Sequence, residues 1–306
     1  MNIVRTVLGD IDPATLGLTL PHEHLLAHPP AEVTDPDLRL DDEVAAVSEL
    51  RSFRQAGGKA VVDMTTVDYG RDVRALARIA ATSGTHLIAA TGYNKGKFSD
   101  RLTQSLSVEA IASWMTSEVG LGIDGTGIRA GVIKAATSLH GPGEGERKML
   151  EAAAIAHRRT QAPISTHTEQ GTWALEQVQF LTDRGVPPER LLIGHLDLHP
   201  DLAYLRQVAA TGVYLGLDQF CKEKYLSDQE RVRLALALAA EGFGHRLLLS
   251  GDMARRSYWQ TYGGPGFRHI PTTVRSLLIS AGASEDLVEM LLVENGRNFL
   301  AFEPAR

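Results

Sequence analysis

The chain has 306 residues, 43% of them hydrophobic and 22% charged, an ordinary composition for a globular protein long enough to bury a substantial core. Lys and Arg total 31 against 37 Asp and Glu, a formal charge of −6, and the sequence holds no basic patch with interleaved aromatics, which excludes nucleic-acid binding as the main activity. The opening MNIVRTVLGDIDP lacks the apolar core of a secretion signal, no run approaches the roughly 18 apolar residues of a membrane span, and the single Cys221 cannot form an internal disulfide, so the expected location is the cytoplasm.

Along the chain, short apolar or β-branched runs alternate with stretches of helical spacing. GLTL at 17–20 is predicted as the first strand and leads into LPHEHLLAH. DDEVAAVSELRSFRQAGG follows as a helix with Val44, Val47, Leu50 and Phe53 inward, Asp41 and Asp42 at its start and Gly57 as its stop. The next strands are KAVVDM at 59–64, THLIAAT at 85–91 and GIRAGVIK at 127–134. Gly120, Gly122 and Gly125 spell a formal G-x-G-x-x-G, but a dinucleotide fingerprint follows a strand and opens a helix, and this one precedes a strand. APIST at 162–166, RLLIGH at 190–195, GVYLGLD at 212–218 and HRLLLSGD at 245–252 complete the strands, with a helix from Asp201 to Gly212 that turns Leu202, Leu205 and Val208 inward. Eight strands alternating with helices, undivided by any linker or low-complexity tract, predict an α/β fold in which one domain, residues 1–306, closes as a (β/α)8 TIM barrel. The alternative is an open doubly wound sheet, which normally needs fewer strands.

Barrels of this type build their sites at the carboxyl ends of the strands, so the groups standing there carry the chemistry. His22 and His24, two apart, point to one side of the first strand, and H-E-x-x-H is absent because Leu26 stands where its second histidine would be. Lys134 is predicted to end the fourth strand, His167 the fifth, His195 the sixth and Asp252 the eighth. A lone histidine at a strand end is ordinarily a hydrogen-bonded core residue. Four imidazoles, an amine and a carboxylate from five strands on one rim instead read as a metal site. Such ligands suit zinc first, or iron, cobalt, nickel or manganese, and six are too many for one tetrahedral ion, so two divalent ions are implied. Lys134 then has a reason to interrupt an apolar strand. An ammonium beside two dications would be repelled, whereas a neutral amine that has taken up carbon dioxide is an anionic carbamate with two oxygens to share. Cys221 reads as a small buried hydrophobe, and histidines 28, 86, 140, 157, 199, 245 and 269 as surface or supporting residues, His28 being the least settled of them.

With HEH after the first strand, IK in the fourth, THT in the fifth, GH in the sixth and SGD in the eighth, the chain resembles the phosphotriesterase family of the amidohydrolase superfamily from about Gly9 to Phe302. The resemblance implies that His22, His24 and Asp252 hold the more buried ion, His167 and His195 the more exposed one, and a carbamylated Lys134 bridges them. It also implies hydrolysis, in which a water bridging the ions, its pKa lowered towards about 7, attacks the substrate. Asp252 accepts that proton and delivers it to the leaving group. The family includes phosphotriesterases, lactonases and amide hydrolases, and often forms homodimers.

The loops must choose among these substrates. After the seventh strand LDQFCKEKYL brings Lys222 and Lys224, and after the eighth SGDMARRSYW brings Arg255, Arg256 and Tyr258. These loops commonly form a phosphate site in barrels, the plain alternative being a solvated basic cluster. VDYGR at 67–71, GYNK at 92–95 and the trio Lys224, Arg255 and Tyr258 look like the branch that hydrolyses phosphorylated sugar lactones, where the trio clamps the phosphate. Lys95 and Arg71 are then expected to bind sugar hydroxyls or close the pocket, with rim salt bridges as the alternative reading. The expected partner is a small anionic, phosphorylated substrate. TYGGPGFRH at 261–269 is expected as a loop over the site. A similar YGG segment in relatives that cleave acylated amines keeps an amidase in play, beside a phosphotriesterase or phosphoesterase. A non-catalytic binding protein on the same scaffold would lack a ligand, and none is missing.

Overall fold

In the computed structural model, which describes residues 1–305, a short antiparallel hairpin of β1 (Val4–Thr6) and β2 (Gly9–Ile11) precedes eight parallel strands. The eight are β3 (Thr19–Glu23), β4 (Ala60–Asp63), β5 (His86–Gly92), β6 (Val132–Thr137), β7 (Ile164–Thr168), β8 (Leu191–Gly194), β9 (Tyr214–Leu217) and β10 (Leu247–Leu249). Each pairs with its sequence neighbour in one nearly closed barrel, as the run count predicts. Apart from His86 and His167, every residue of these strands is buried, because helices cover the outer face and side chains fill the inside. The gap between the last strand and the first is bridged by a side chain. Ser250 Oγ accepts from His22 N at 3.2 Å and lies 3.0 Å from His22 O.

Period-2 alternation explains how the barrel carries its polar groups. Val132 belongs to the cluster inside the barrel with Val62, Ile88 and Leu248, and Ile133 to the layer between strands and helices. Lys134 is therefore turned inward again. The strand continues three residues past it, since Thr137 still pairs with Thr168, so Lys134 lies within β6 rather than at its end. His167 likewise lies inside β7, while His195 immediately follows β8.

The outer helices are α1 (Glu43–Gln55), α2 (Val73–Ser83), α3 (Gly96–Thr103), α4 (Val108–Gly120), α5 (Glu144–Thr160), α6 (Ala174–Thr182), α7 (Leu202–Ala210) and α8 (Asp228–Leu238). Asp42, Asp72, Ser107, Asp201 and Ser227 cap five of them through their side-chain oxygens. The inward face of α1 differs from the expected one: Ala45, Ala46, Glu49, Leu50 and Phe53 are buried, and Val44 is 80% exposed. Nine positions are about two and a half turns of helix, which puts Val44 opposite Phe53. The discounted glycine triplet runs from the end of α4 into the turn before β6. The β1–β2 hairpin was not marked by any of the predicted runs, its strands being only 3 residues each. Among the described residues no helix is long and apolar enough to cross a membrane.

Candidate metal centre and substrate pocket

His22, His24, Lys134, His167, His195 and Asp252 all line one cavity of about 680 Å³ at the carboxyl ends of the strands. The register between β3 and β4 slips between Leu20 and Glu23, an irregularity that spans Pro21 and His22. Asp252 Oδ1 stands 3.5 Å from His24 Nε2 and 4.0 Å from His22 Nε2. The rings of His22 and His167 flank that of His195, with centroids at 4.7 and 4.5 Å. His195 and Asp252 hold positive φ of 63° and 44°, conformations that non-glycine residues seldom adopt and that cluster at functional sites. Gly92 allows the close packing beside Lys134: with φ of 99° it lies against that backbone, and a Cβ there would meet Lys134 O at 2.0 Å.

The donor set fits divalent ions. Ligand atoms of His22, His24 and Asp252 lie within 4.8 Å of one another, and His167 Nε2 is buried with no hydrogen-bond partner. Burial, followed by the charge of His195, holds His22 and His167 well below the usual imidazole range, and burial above all pushes His24 down to about 3. Neutral imidazoles with free lone pairs are the form a metal requires. His195 goes the other way. Burial lowers it, but the Asp218 carboxylate outweighs burial and raises it. Burial also lowers Lys134, whose Nζ donates to Met64 O at 2.9 Å, and so favours the free amine that can add carbon dioxide. Burial would raise the Asp252 carboxyl, but the opposing charges of Lys222 first and His195 next outweigh it and hold the group well below the usual carboxylate range.

A surrounding set of hydrogen bonds orients these groups, and most of it was not foreseen. Glu23, between the two histidines, faces away from the cavity and ties the first strand to the loop that carries Asp252: its carboxylate accepts from Ser250 Oγ at 2.7 Å, Gly251 N at 2.7 Å and Met253 N at 2.8 Å. Asp218 accepts from both His195 N and His195 Nδ1, at 3.0 and 2.7 Å, which leaves Nε2 of that ring for the cavity. Thr65 Oγ1 meets His24 Nδ1 at 2.7 Å. Deeper, the buried Arg231 pairs with Asp197, whose carboxylate accepts from the backbone N–H groups of Asp218 and Gln219. The signal that pointed to the ligands, a polar group at a strand end, was present at Asp63 and Asp218 too. What the sequence lacked was which of them faces a neighbouring loop.

The rim divides the remaining expectations. Lys95, Lys224, Arg255 and Tyr258 line the cavity. Lys95 Nζ bonds Glu169 Oε1 at 2.5 Å across the mouth, and Arg255 Nη1 bonds Asp35 Oδ2 at 2.6 Å and Asp37 Oδ2 at 3.3 Å. Arg71, expected at the substrate, does not reach the cavity and has a structural place instead. It forks onto Glu118 at 2.8 and 2.6 Å and onto Ala90 O at 2.7 Å, in a buried pair whose guanidinium turns outward towards α4. The 261–269 segment is also not a cover. Thr261 N donates to Glu49 of α1, Gly266 N donates back to Tyr258 O, and Phe267 is buried in the outer layer, so the segment packs beside the barrel. His28 lies on the surface 3.4 Å from Arg39, and Cys221 is half-buried, its thiol pushed up to about 12 by burial.

The model of the family described as "Phosphotriesterase family" matches residues 2–300. The structure is similar to a lactonase from Listeria monocytogenes, at 34% identity and a TM-score of 0.94 over 98% of this chain and 99% of that one. It is similar to the phosphotriesterase homology protein from Escherichia coli complexed with phosphate in its active site, at 34% identity and a TM-score of 0.91 over 95% of this chain and 100% of that one. In sequence it is also 31% identical to an N-acetyltaurine hydrolase from Danio rerio, over 98% of both chains.

Proposed function

The chain belongs to the phosphotriesterase family and is a metal-dependent hydrolase, and from that premise we propose that it opens phosphorylated sugar lactones at a pair of divalent ions. The observation that carries this reading is one cavity whose floor holds four imidazoles, Lys134 and Asp252 and whose wall holds Lys224, Arg255 and Tyr258. His22, His24 and Asp252 would hold one ion, His167 and His195 the other, with a carbamate on Lys134 between them. Zinc is the foremost candidate for both. Bound there, the ions would acidify water and polarise the lactone carbonyl. Asp252, kept ionised by Lys222, is the base that takes the water's proton and returns it to the ring oxygen as the lactone opens. Lys224 and Arg255 supply charge and Tyr258 a hydroxyl to a phosphoryl group, and the Lys95–Glu169 pair offers donor and acceptor to sugar hydroxyls. The phosphate complexed in the active site of the Escherichia coli relative supports an anionic ligand for this cavity.

Fully metal-loaded protein should open a phosphorylated lactone with kcat/KM at least about 100-fold above that for its dephosphorylated counterpart, a difference of about 2.8 kcal/mol at about 1.4 per tenfold, and Arg255→Ala should remove most of it. Equal rates on the two lactones would overturn the phosphate reading. A second reading follows from the Danio rerio relative: N-acetyltaurine is an acylated amine ending in a sulfonate, and the same cations would hold that anion while an amide is cleaved. An amide panel at matched metal loading separates the two.

A further inference from the structure

Lys222 is a buried lysine that neither the metal set nor the phosphate clamp uses. It is 5% exposed, at the edge of the cavity, and two of its three N–H donors are already committed. Nζ donates to Asp252 Oδ2 at 2.7 Å and to Gln219 Oε1 at 2.8 Å, and Gln219 Nε2 in turn donates to the same Asp252 oxygen at 2.9 Å. The Tyr258 ring covers the ammonium, 5.5 Å from its centroid. The backbone beneath is fixed independently: Lys222 O accepts from the buried Arg231, and Cys221, at φ of 71°, donates its N–H to Asp228. Desolvating an ammonium and a carboxylate costs several kcal/mol per ion, and such a pair persists where its geometry is specified.

The two oxygens of Asp252 are thereby divided. Oδ1 faces His22 and His24, and Oδ2 is held by Lys222 and Gln219. We propose that Lys222 is a positioning residue that fixes the rotation of the Asp252 carboxylate by holding Oδ2, so that Oδ1 is turned towards His22, His24 and the reacting centre, and that it is not an anion-binding residue. The proposal rests on the reading of Asp252 as ligand and base. It assigns adjacent lysines to different tasks: Lys224 Nζ, exposed and 4.7 Å from the Tyr225 ring centroid, is available to substrate, whereas Lys222 is spent on Asp252.

Lys222→Met, Lys222→Arg and Lys224→Met test this in the full chain loaded with zinc and, separately, with cobalt as a spectroscopic probe. Lys222→Met should lower kcat at least about tenfold on every substrate the wild type turns over, phosphorylated or neutral, with KM within about threefold, zinc content retained and the visible cobalt spectrum altered. Lys222→Arg should recover part of kcat and most of the spectrum, and Lys224→Met should leave the spectrum as in the wild type. A rise in KM confined to phosphorylated substrates, with kcat and the cobalt spectrum unchanged, would overturn the proposal and make Lys222 part of the clamp. Loss of zinc with kcat would also overturn it. Failure of the lactone reading shows instead as turnover by the wild type of amides or esters only, and if no substrate is turned over the cobalt spectra still decide the role of Lys222.

Discussion

At the scale of single residues, the site depends on groups whose ordinary states would be wrong for it. Lys134 in an apolar strand is tolerable because burial already favours its neutral form, so the prediction at this position concerns metal as much as rate. Lys134→Ala should lose bound metal and activity together, as read by metal analysis after dialysis and by initial rates, and a short carboxylic acid added to fill the vacated space should restore part of both. Glu23 makes a different kind of claim. Its carboxylate accepts three hydrogen bonds and its pKa is pushed up to about 7 by burial. Glu23→Gln keeps the volume but turns an NH2 towards an N–H that needs an acceptor, and leaving such a buried donor unmet costs about 1–3 kcal/mol. A lowered thermal midpoint with weakened metal binding is expected, because the loop it holds carries Asp252.

At the scale of elements, the pair formed by Arg71 and Glu118 ties the segment between β4 and α2 to α4. Arg71→Ala strands a buried carboxylate and should cost about 3–5 kcal/mol in urea unfolding, whereas replacing both partners with apolar residues of similar size should recover most of it, and KM of the folded fraction should not move. The history of this residue shows where the sequence is readable. Strand positions were legible because β-branched runs bounded by turns are themselves the physical cause of a buried parallel strand. The inward set His22, His24, Lys134, His167, His195 and Asp252 was legible because the strand period, together with the barrel rule, puts polar strand-end groups on one rim. Arg71 stands at an equivalent place, yet its long side chain runs outward to a carboxylate 47 positions away, and no local pattern encodes that choice. Lys222 was unreadable for the same reason: its partner Asp252 is 30 positions further on, and a lysine two residues from another looks the same whether it binds substrate or a neighbour. The 261–269 loop was misplaced because glycine content speaks of backbone freedom and not of what the backbone rests on.

At the scale of the whole molecule, buried histidines make stability depend on acid. His157, on α5 and away from the metal centre, donates from Nδ1 to Ala162 O at 2.8 Å, and burial holds its pKa below the ordinary 6.5. The unfolded chain therefore takes up a proton at this ring before the folded one does. Its contribution is fully present above about pH 6.5 and is lost as the pH falls below that value. Urea midpoints measured from pH 8 down to pH 5 should decline, and His157→Gln should flatten that decline while lowering the value at pH 8.

The junction where the last strand meets the first has a temporal consequence. Ser250, Asp252 and Met253 bond to His22 and Glu23 across 227 to 230 positions of sequence, so the ligand group of His22, His24 and Asp252 is split between the two ends of the barrel. Contacts of such separation are the slowest to form. During synthesis on the ribosome His22 and His24 emerge early and wait with no third ligand until β10 and its following loop have left the exit tunnel. The completed ring is the first species in which that trio of ligands exists.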